Sequence, residues 1–239
     1  MLGNETLWRC ALSEPQLLPA DVQVWAAWLD VTDERLAGFW STLCPQEQER
    51  AARLVLERDR GRFVAARGLL RSILGFCLGT EPHKVEFAYS AKGKPSLGGA
   101  HATHELQFNL AHSGGLGVFV VARQGLVGVD VEELRPIPDL ARLLKSFFSP
   151  RECAEVNRLA GREQAALFYK LWTRKEARLK ATGEGIAGAA DSLDLPGPHG
   201  EAGSRLCLHE LAPAPGYVGA LALCPRNLVT ADVLAARTP

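Results

Sequence analysis

No two cysteines of this 239-residue chain stand at a close, paired spacing: Cys10, Cys44, Cys77, Cys153, Cys207 and Cys224 are scattered along it. That argues against a zinc site, a thioredoxin-type motif and a disulfide framework, and leads us to expect reduced, mostly packed thiols. No run reaches the roughly 18 apolar residues of a membrane span, and no long apolar stretch precedes Glu14-Pro15. An excess of either charge is missing as well. The 27 acidic side chains match the 27 basic ones, so no global field selects a nucleic acid or a membrane surface, and charge recognition must be local. We therefore expect a cytoplasmic protein that binds neither. What is present, 47% hydrophobic and 23% charged residues, suffices to bury one large core or two small lobes.

Alternation and aromatic content predict a strand over 21–30, followed by a helical element. Pro45 opens a long stretch with apolar residues at helical intervals that Gly79 closes; it reads as one helix or as two broken near Gly61. Strands are expected over 85–89, 106–111 and 117–122, with a turn at Ala91-Lys-Gly-Lys-Pro95. Arg123-Gln-Gly125 reads as a hairpin turn into a strand over 126–133, paired beside Phe119-Val-Val121. The second half repeats the outline. Helices are expected over 140–148, 150–159 and 165–181, strands near 205–211 and 217–224, and a turn segment at 196–200. The recurrence points to a duplicated α+β unit, with lobes over 1–125 and 126–239.

Two constellations carry the chemistry. In Gly128-Val-Asp130-Val-Glu132 the carboxylates are two residues apart, so on a strand both leave one face while Val129 and Val131 enter the core. Oxygen ligands without a nearby histidine or cysteine suit magnesium or manganese more than zinc. Forty residues after Glu132 begins Trp172-Thr-Arg-Lys175-Glu176-Ala-Arg-Leu-Lys180, where Glu176 and Lys180 project one helical turn apart from one face. Together these residues have the makings of a metal–diphosphate site. Phe108-Asn-Leu-Ala-His112-Ser113-Gly114 ends a strand in a loop where His112 can meet an anion. The plainer readings are a solvated edge strand, an exposed helix face and a structural histidine.

The ordered set of Gly93-Lys94-Pro95, the His112 loop, the Asp130–Glu132 strand, Phe147-Phe148-Ser149 with Glu152, and the Trp172–Lys180 helix closely resembles the Sfp-type 4'-phosphopantetheinyl transferases over about residues 40 to 195. The resemblance implies an α+β pseudo-dimer of two similar lobes, coenzyme A in the cleft between them, and a working monomer. It implies transfer of 4'-phosphopantetheine from coenzyme A to a serine of an apo acyl or peptidyl carrier protein, releasing adenosine 3',5'-bisphosphate. On this reading Asp130, Glu132 and Glu176 are the magnesium ligands, Lys180 contacts the diphosphate, and Arg62, Lys94 and His112 hold the coenzyme's phosphates or ribose. Glu152 or Glu176 takes the serine proton. Two positions depart from the pattern: Ala111 replaces a serine of some members, and Glu47 stands where a basic residue is common while Arg50 keeps the neighbouring positive charge on the coenzyme side. Arg142, Lys145, Phe147, Phe148, Arg151 and Arg158 are candidates for docking an acidic carrier. The rival readings are a metal-dependent nucleotide diphosphate hydrolase and a non-catalytic module holding a structural ion.

Overall fold

A computed structural model describes residues 7–9, 11–12, 18, 21–123, 125–183 and 206–224. The expected turn at 196–200 and the start of the strand at 205 lie outside them. The chain runs β1 (Leu7–Arg9), β2 (Ala11–Leu12), β3 (Val22–Trp28), α1 (Asp33–Trp40), α2 (Pro45–Ala52), α3 (Glu57–Leu78), β4 (Phe87–Tyr89), β5 (Pro95–Leu97), β6 (Gln107–Ser113) and β7 (Leu116–Ala122). It continues through β8 (Leu126–Glu133), α4 (Leu140–Phe147), α5 (Pro150–Asn157), α6 (Gly161–Thr182), β9 (Cys207–Ala212) and β10 (Tyr217–Cys224).

Two four-stranded sheets form, ordered β1-β3-β7-β6 and β2-β9-β10-β8. Alternation on each strand makes the arrangement. Val22, Val24 and Ala26 of β3 and Val127, Val129 and Val131 of β8 enter one shared core between the sheets. The opposite face of β3 lies under α3 through Ala27, Leu29, Leu69 and Leu70. Ala177 and Ala181 of α6 cover Ala220 and Ala222. The layers therefore run helix, sheet, sheet, helix, each sheet burying both faces.

The two halves match in detail. β3 pairs with β7 and β7 with β6, as β8 pairs with β10 and β10 with β9. The helices α3 and α6 each have 22 residues and each ends in a left-handed glycine, Gly79 and Gly183. Proline opens both α2 and α5, and the third residue of each, Glu47 or Glu152, reaches back to cap its helix start.

Three expectations need correction. The break in the long first-lobe helical stretch falls at 53–56, not near Gly61, which lies inside α3. Turning there lets Ala51 of α2 fold back on Val64 of α3 in one apolar cluster, which a continuous helix forbids. Strand β6 runs through Ser113, so His112 and Ser113 are strand residues and the turn is Gly114-Gly115. Finally, Arg123–Gly125 is no hairpin: β7 lies between β3 and β6, while β8 joins β10 in the other sheet. Both strands are apolar enough to be buried, and the chain crosses between sheets to bury them.

Candidate active site

Glycine at 128 is what brings α6 onto β8. A Cβ there would stand 2.1 Å from the Ala177 carbonyl and 2.3 Å from the Ala181 amide, so only glycine admits the helix this close. The face of β8 that carries Gly128, Asp130 and Glu132 is thereby covered by the helix that carries Glu176 and Lys180. Lys180 Nζ donates to Asp130 Oδ1 at 2.6 Å. Asp130 is 5% exposed, and its second oxygen, Oδ2, is buried with no hydrogen-bond partner among the described residues.

That orphan oxygen makes the electrostatics legible. Burial raises the Asp130 carboxyl to about 7, against the pull of Lys180, and the negative charges of Glu132 and Glu176 add to the rise. Burial likewise raises Glu176, with Lys180 opposing and Glu132 assisting. Three carboxylates thus share one field with one ammonium. A buried, unsatisfied carboxylate oxygen beside two further carboxylates is the donor chemistry of a hard divalent cation. Among the described residues no three histidine, cysteine, aspartate or glutamate side chains stand close enough to enclose an ion.

Cations approach from the first lobe. Desolvation holds the His112 imidazole below its usual pKa, and the charges of Lys180, Arg62 and Arg50 lower it further. Arg62 on α3 is gripped by Asp30 through two bonds of 2.7 and 2.6 Å. Arg50 on α2 stacks over Phe63 at 5.3 Å. Beside the acids opens a cavity of about 350 Å³, bounded by the 92–95 loop and Asn109 of the first lobe and by Glu176 and Lys180 of the second.

Two expected site residues have other occupations. The Lys94 ammonium donates to the Ala181 carbonyl at 2.8 Å, to the Lys180 carbonyl, and more weakly to Val127 O at 3.4 Å. It ties the first-lobe loop to the C-terminal end of α6, where the helix dipole favours a cation. Glu152, 8% exposed, accepts from Lys175 Nζ at 2.8 Å and from the Ser149 amide at 2.8 Å. Glu47 is its first-lobe counterpart, a buried anion bound to Arg67 and Arg71. Its departure from a basic residue is explained by that structural work. Trp172 packs with Phe147, Phe148 and Phe168, which accounts for an aromatic on an otherwise charged segment.

Sequence reasoning gave no role to Asp30, Asn109 or Ser113. Ser113 Oγ donates to Glu132 Oε2 at 2.7 Å and accepts from the Glu133 amide at 3.2 Å, while Asn109 Oδ1 accepts from the Val129 amide at 3.0 Å. The available signal was the four-residue spacing of Asn109 and Ser113, which puts both on one face of a strand.

Comparison with known proteins places the chain in a family. The sequence model of the 4'-phosphopantetheinyl transferase superfamily matches residues 126–220, and that of a 4'-phosphopantetheinyl transferase N-terminal domain matches residues 26–124. The chain is 44% identical over 171 residues to 4'-phosphopantetheinyl transferase HetI of Nostoc sp., covering 72% of each. It is 26% identical over 176 residues to 4'-phosphopantetheinyl transferase Sfp of Bacillus subtilis, covering 73% of this chain and 76% of that one. With 4'-phosphopantetheinyl transferase AcpT of Salmonella typhimurium the identity is 34% over 146 residues, 61% of this chain and 74% of the relative. All three are transferases by name, which gives the nucleotide-hydrolase reading no support. The chain belongs to the 4'-phosphopantetheinyl transferase superfamily.

Proposed function

We propose that the protein transfers 4'-phosphopantetheine from coenzyme A to a serine hydroxyl of an apo acyl or peptidyl carrier protein. The observation that carries this reading is Asp130: a buried carboxylate with one oxygen on Lys180 and the other without a partner among the described residues, under the helix whose Glu176 and Lys180 line the cavity. Such a site takes a polyanion only with a divalent cation.

Asp130, Glu132 and Glu176 would hold that cation, magnesium or manganese. When bound, it supplies charge neutralisation at the diphosphate. Lys180, released from Asp130, is one helical turn from Glu176 and offers its ammonium to the diphosphate. Arg62 and Arg50 supply positive charge for the coenzyme's remaining phosphate, and His112, as a neutral imidazole, offers it a hydrogen bond. The carrier hydroxyl oxygen bonds to the β-phosphorus and the bond from that phosphorus to the bridging oxygen breaks, so adenosine 3',5'-bisphosphate leaves. The hydroxyl proton passes to Glu176, directly or through water. We assign the proton to Glu176 rather than Glu152, whose Oε2 is held by Lys175 and the Ser149 amide.

The exposed cations of α4 and α5, Arg142 and Arg151 foremost, are the proposed docking points for an acidic carrier. The lobes divide at Gly125 apart from β2, which joins the second lobe's sheet; one chain forms one complete site, and a monomer is the working unit. No described helix is long and apolar enough to cross a membrane. None of the five described cysteines is in a disulfide, and we propose a cytoplasmic setting.

Intact-mass measurement of a panel of apo carriers, incubated with the protein, coenzyme A and magnesium, tests the proposal. A mass gain of one phosphopantetheinyl group on a carrier supports it. Coenzyme A breakdown without any modified carrier, or no reaction with any carrier, overturns it.

A further inference from the structure

Strands β6 and β8 lie at the edges of different sheets and share no backbone ladder, yet they are joined in register. The bonded positions advance together, Asn109 with Val129 and Ser113 with Glu133, so the two strands run in the same sense, with β6 side chains accepting from β8 amides. Of these links, the one at Ser113 has a second arm that reaches the reaction centre. A serine hydroxyl has one proton to give and lone pairs to receive. By accepting from the Glu133 amide, Ser113 Oγ is fixed in place, and its proton is directed to Glu132 Oε2 at 2.7 Å. The donation engages one carboxylate oxygen, pins the rotamer of a long flexible side chain, and leaves the carboxylate's other oxygen for a cation.

The turn that follows gives Ser113 no freedom to move away. Gly114 has φ +54°, and a Cβ on it would lie 2.2 Å from Glu133 Oε2, so this carboxylate packs directly over the turn. Beside it, Leu29 N donates to Gly115 O at 2.8 Å and anchors the turn to the end of β3. The hydroxyl is therefore mounted on rigid first-lobe structure, whereas Glu132 belongs to the second lobe.

We propose that Ser113 is a positioning residue for the cation site: the first lobe orients the second lobe's Glu132 through this hydroxyl, so the site is fully formed only when the two lobes are seated on each other. The proposal rests on the assignment of Glu132 as a metal ligand. Outer hydrogen bonds to metal ligands are typically worth a factor of about 10 to 100 in metal affinity.

The test compares the wild type with Ser113→Ala and Ser113→Thr by electron paramagnetic resonance titration with Mn²⁺ in the presence of coenzyme A, alongside thermal denaturation without metal. We expect Ser113→Ala to weaken Mn²⁺ binding about tenfold or more and to raise the magnesium concentration for half-maximal transfer, with the KM for the carrier unchanged. Ser113→Thr, which keeps the hydroxyl, restores wild-type affinity. Equal Mn²⁺ affinity in Ser113→Ala and wild type overturns the inference and leaves the transferase reading standing. A loss that Ser113→Thr does not restore also overturns it, because packing rather than the hydroxyl is then responsible. A wild-type protein that binds no Mn²⁺ under these conditions overturns both the inference and the metal assignment beneath it.

Discussion

Glu152 Oε2 lies 2.8 Å from Lys175 Nζ, a carboxylate and an ammonium both withdrawn from solvent, one residue before Glu176. The first lobe repeats the arrangement: Glu47, third residue of α2, meets Arg71, fifteenth residue of α3, as Glu152, third of α5, meets Lys175, fifteenth of α6. A feature present in both lobes, only one of which carries the acids, is architectural.

Glu152→Gln is therefore expected to act on stability first. Taking the negative partner from a buried ammonium costs about 3 kcal/mol or more, seen as a fall in Tm on the order of 10 °C. Assayed below that Tm, kcat should drop less than about tenfold, since losing a general base costs roughly 100-fold or more. Unchanged Tm with a large loss of kcat would make Glu152 the base instead.

Asp130→Asn should separate stability from activity through pH. The carboxyl is raised in the fold, to about 7. Its contribution is thus complete below the unfolded value near 4 and is withdrawn as pH rises through about 7, a difference on the order of 4 kcal/mol. Without metal, the variant should match the wild type at about pH 4 and melt at a higher temperature at pH 8.5, while transfer is abolished. Melting curves across that range decide it. A variant less stable at pH 8.5 would show the Lys180 ion pair to outweigh the cost of burial.

Lys94→Met keeps the aliphatic stem and removes the charged donor from the carbonyls of Lys180 and Ala181. We expect a stability loss of about 1–3 kcal/mol and faster amide hydrogen exchange over the last turn of α6. A raised KM for coenzyme A with neither change would place the ammonium on the coenzyme.

Reversing charge at two exposed positions, Arg142→Glu with Lys145→Glu, should raise the KM for an acidic carrier about tenfold through slower encounter. The KM for coenzyme A should stay as it was. Steady-state kinetics with each substrate varied in turn measures both, and an unchanged carrier KM would remove α4 from the docking surface.

How far these relationships were readable in the sequence depends on their range. Asp130 with Glu132, and Glu176 with Lys180, are local spacings fixed by strand and helix periods, and the duplicated α+β outline follows from the order of such segments. Partnership across the fold was not readable. Valine-rich β7 and β8, three residues apart, gave every local sign of a hairpin, yet each is buried in a different sheet. Glu47 looked like a weakened coenzyme contact because nothing in its own segment shows Arg67 and Arg71 closing over it from α3. Ser113 stood in plain view beside His112, but its meaning depends on the distant amide of Glu133.

The second copy of the helix is not a second active site. Where α6 presents Glu176 and Lys180, its sixteenth and twentieth residues, α3 has Ser72 and Phe76, and Phe76 is 77% exposed. Half of the internal pair thus lacks the acid and ammonium of the other half, and we expect one chain to take a single coenzyme at a time. Saturation curves should accordingly be hyperbolic, with one equivalent bound per polypeptide and no cooperativity arising within it.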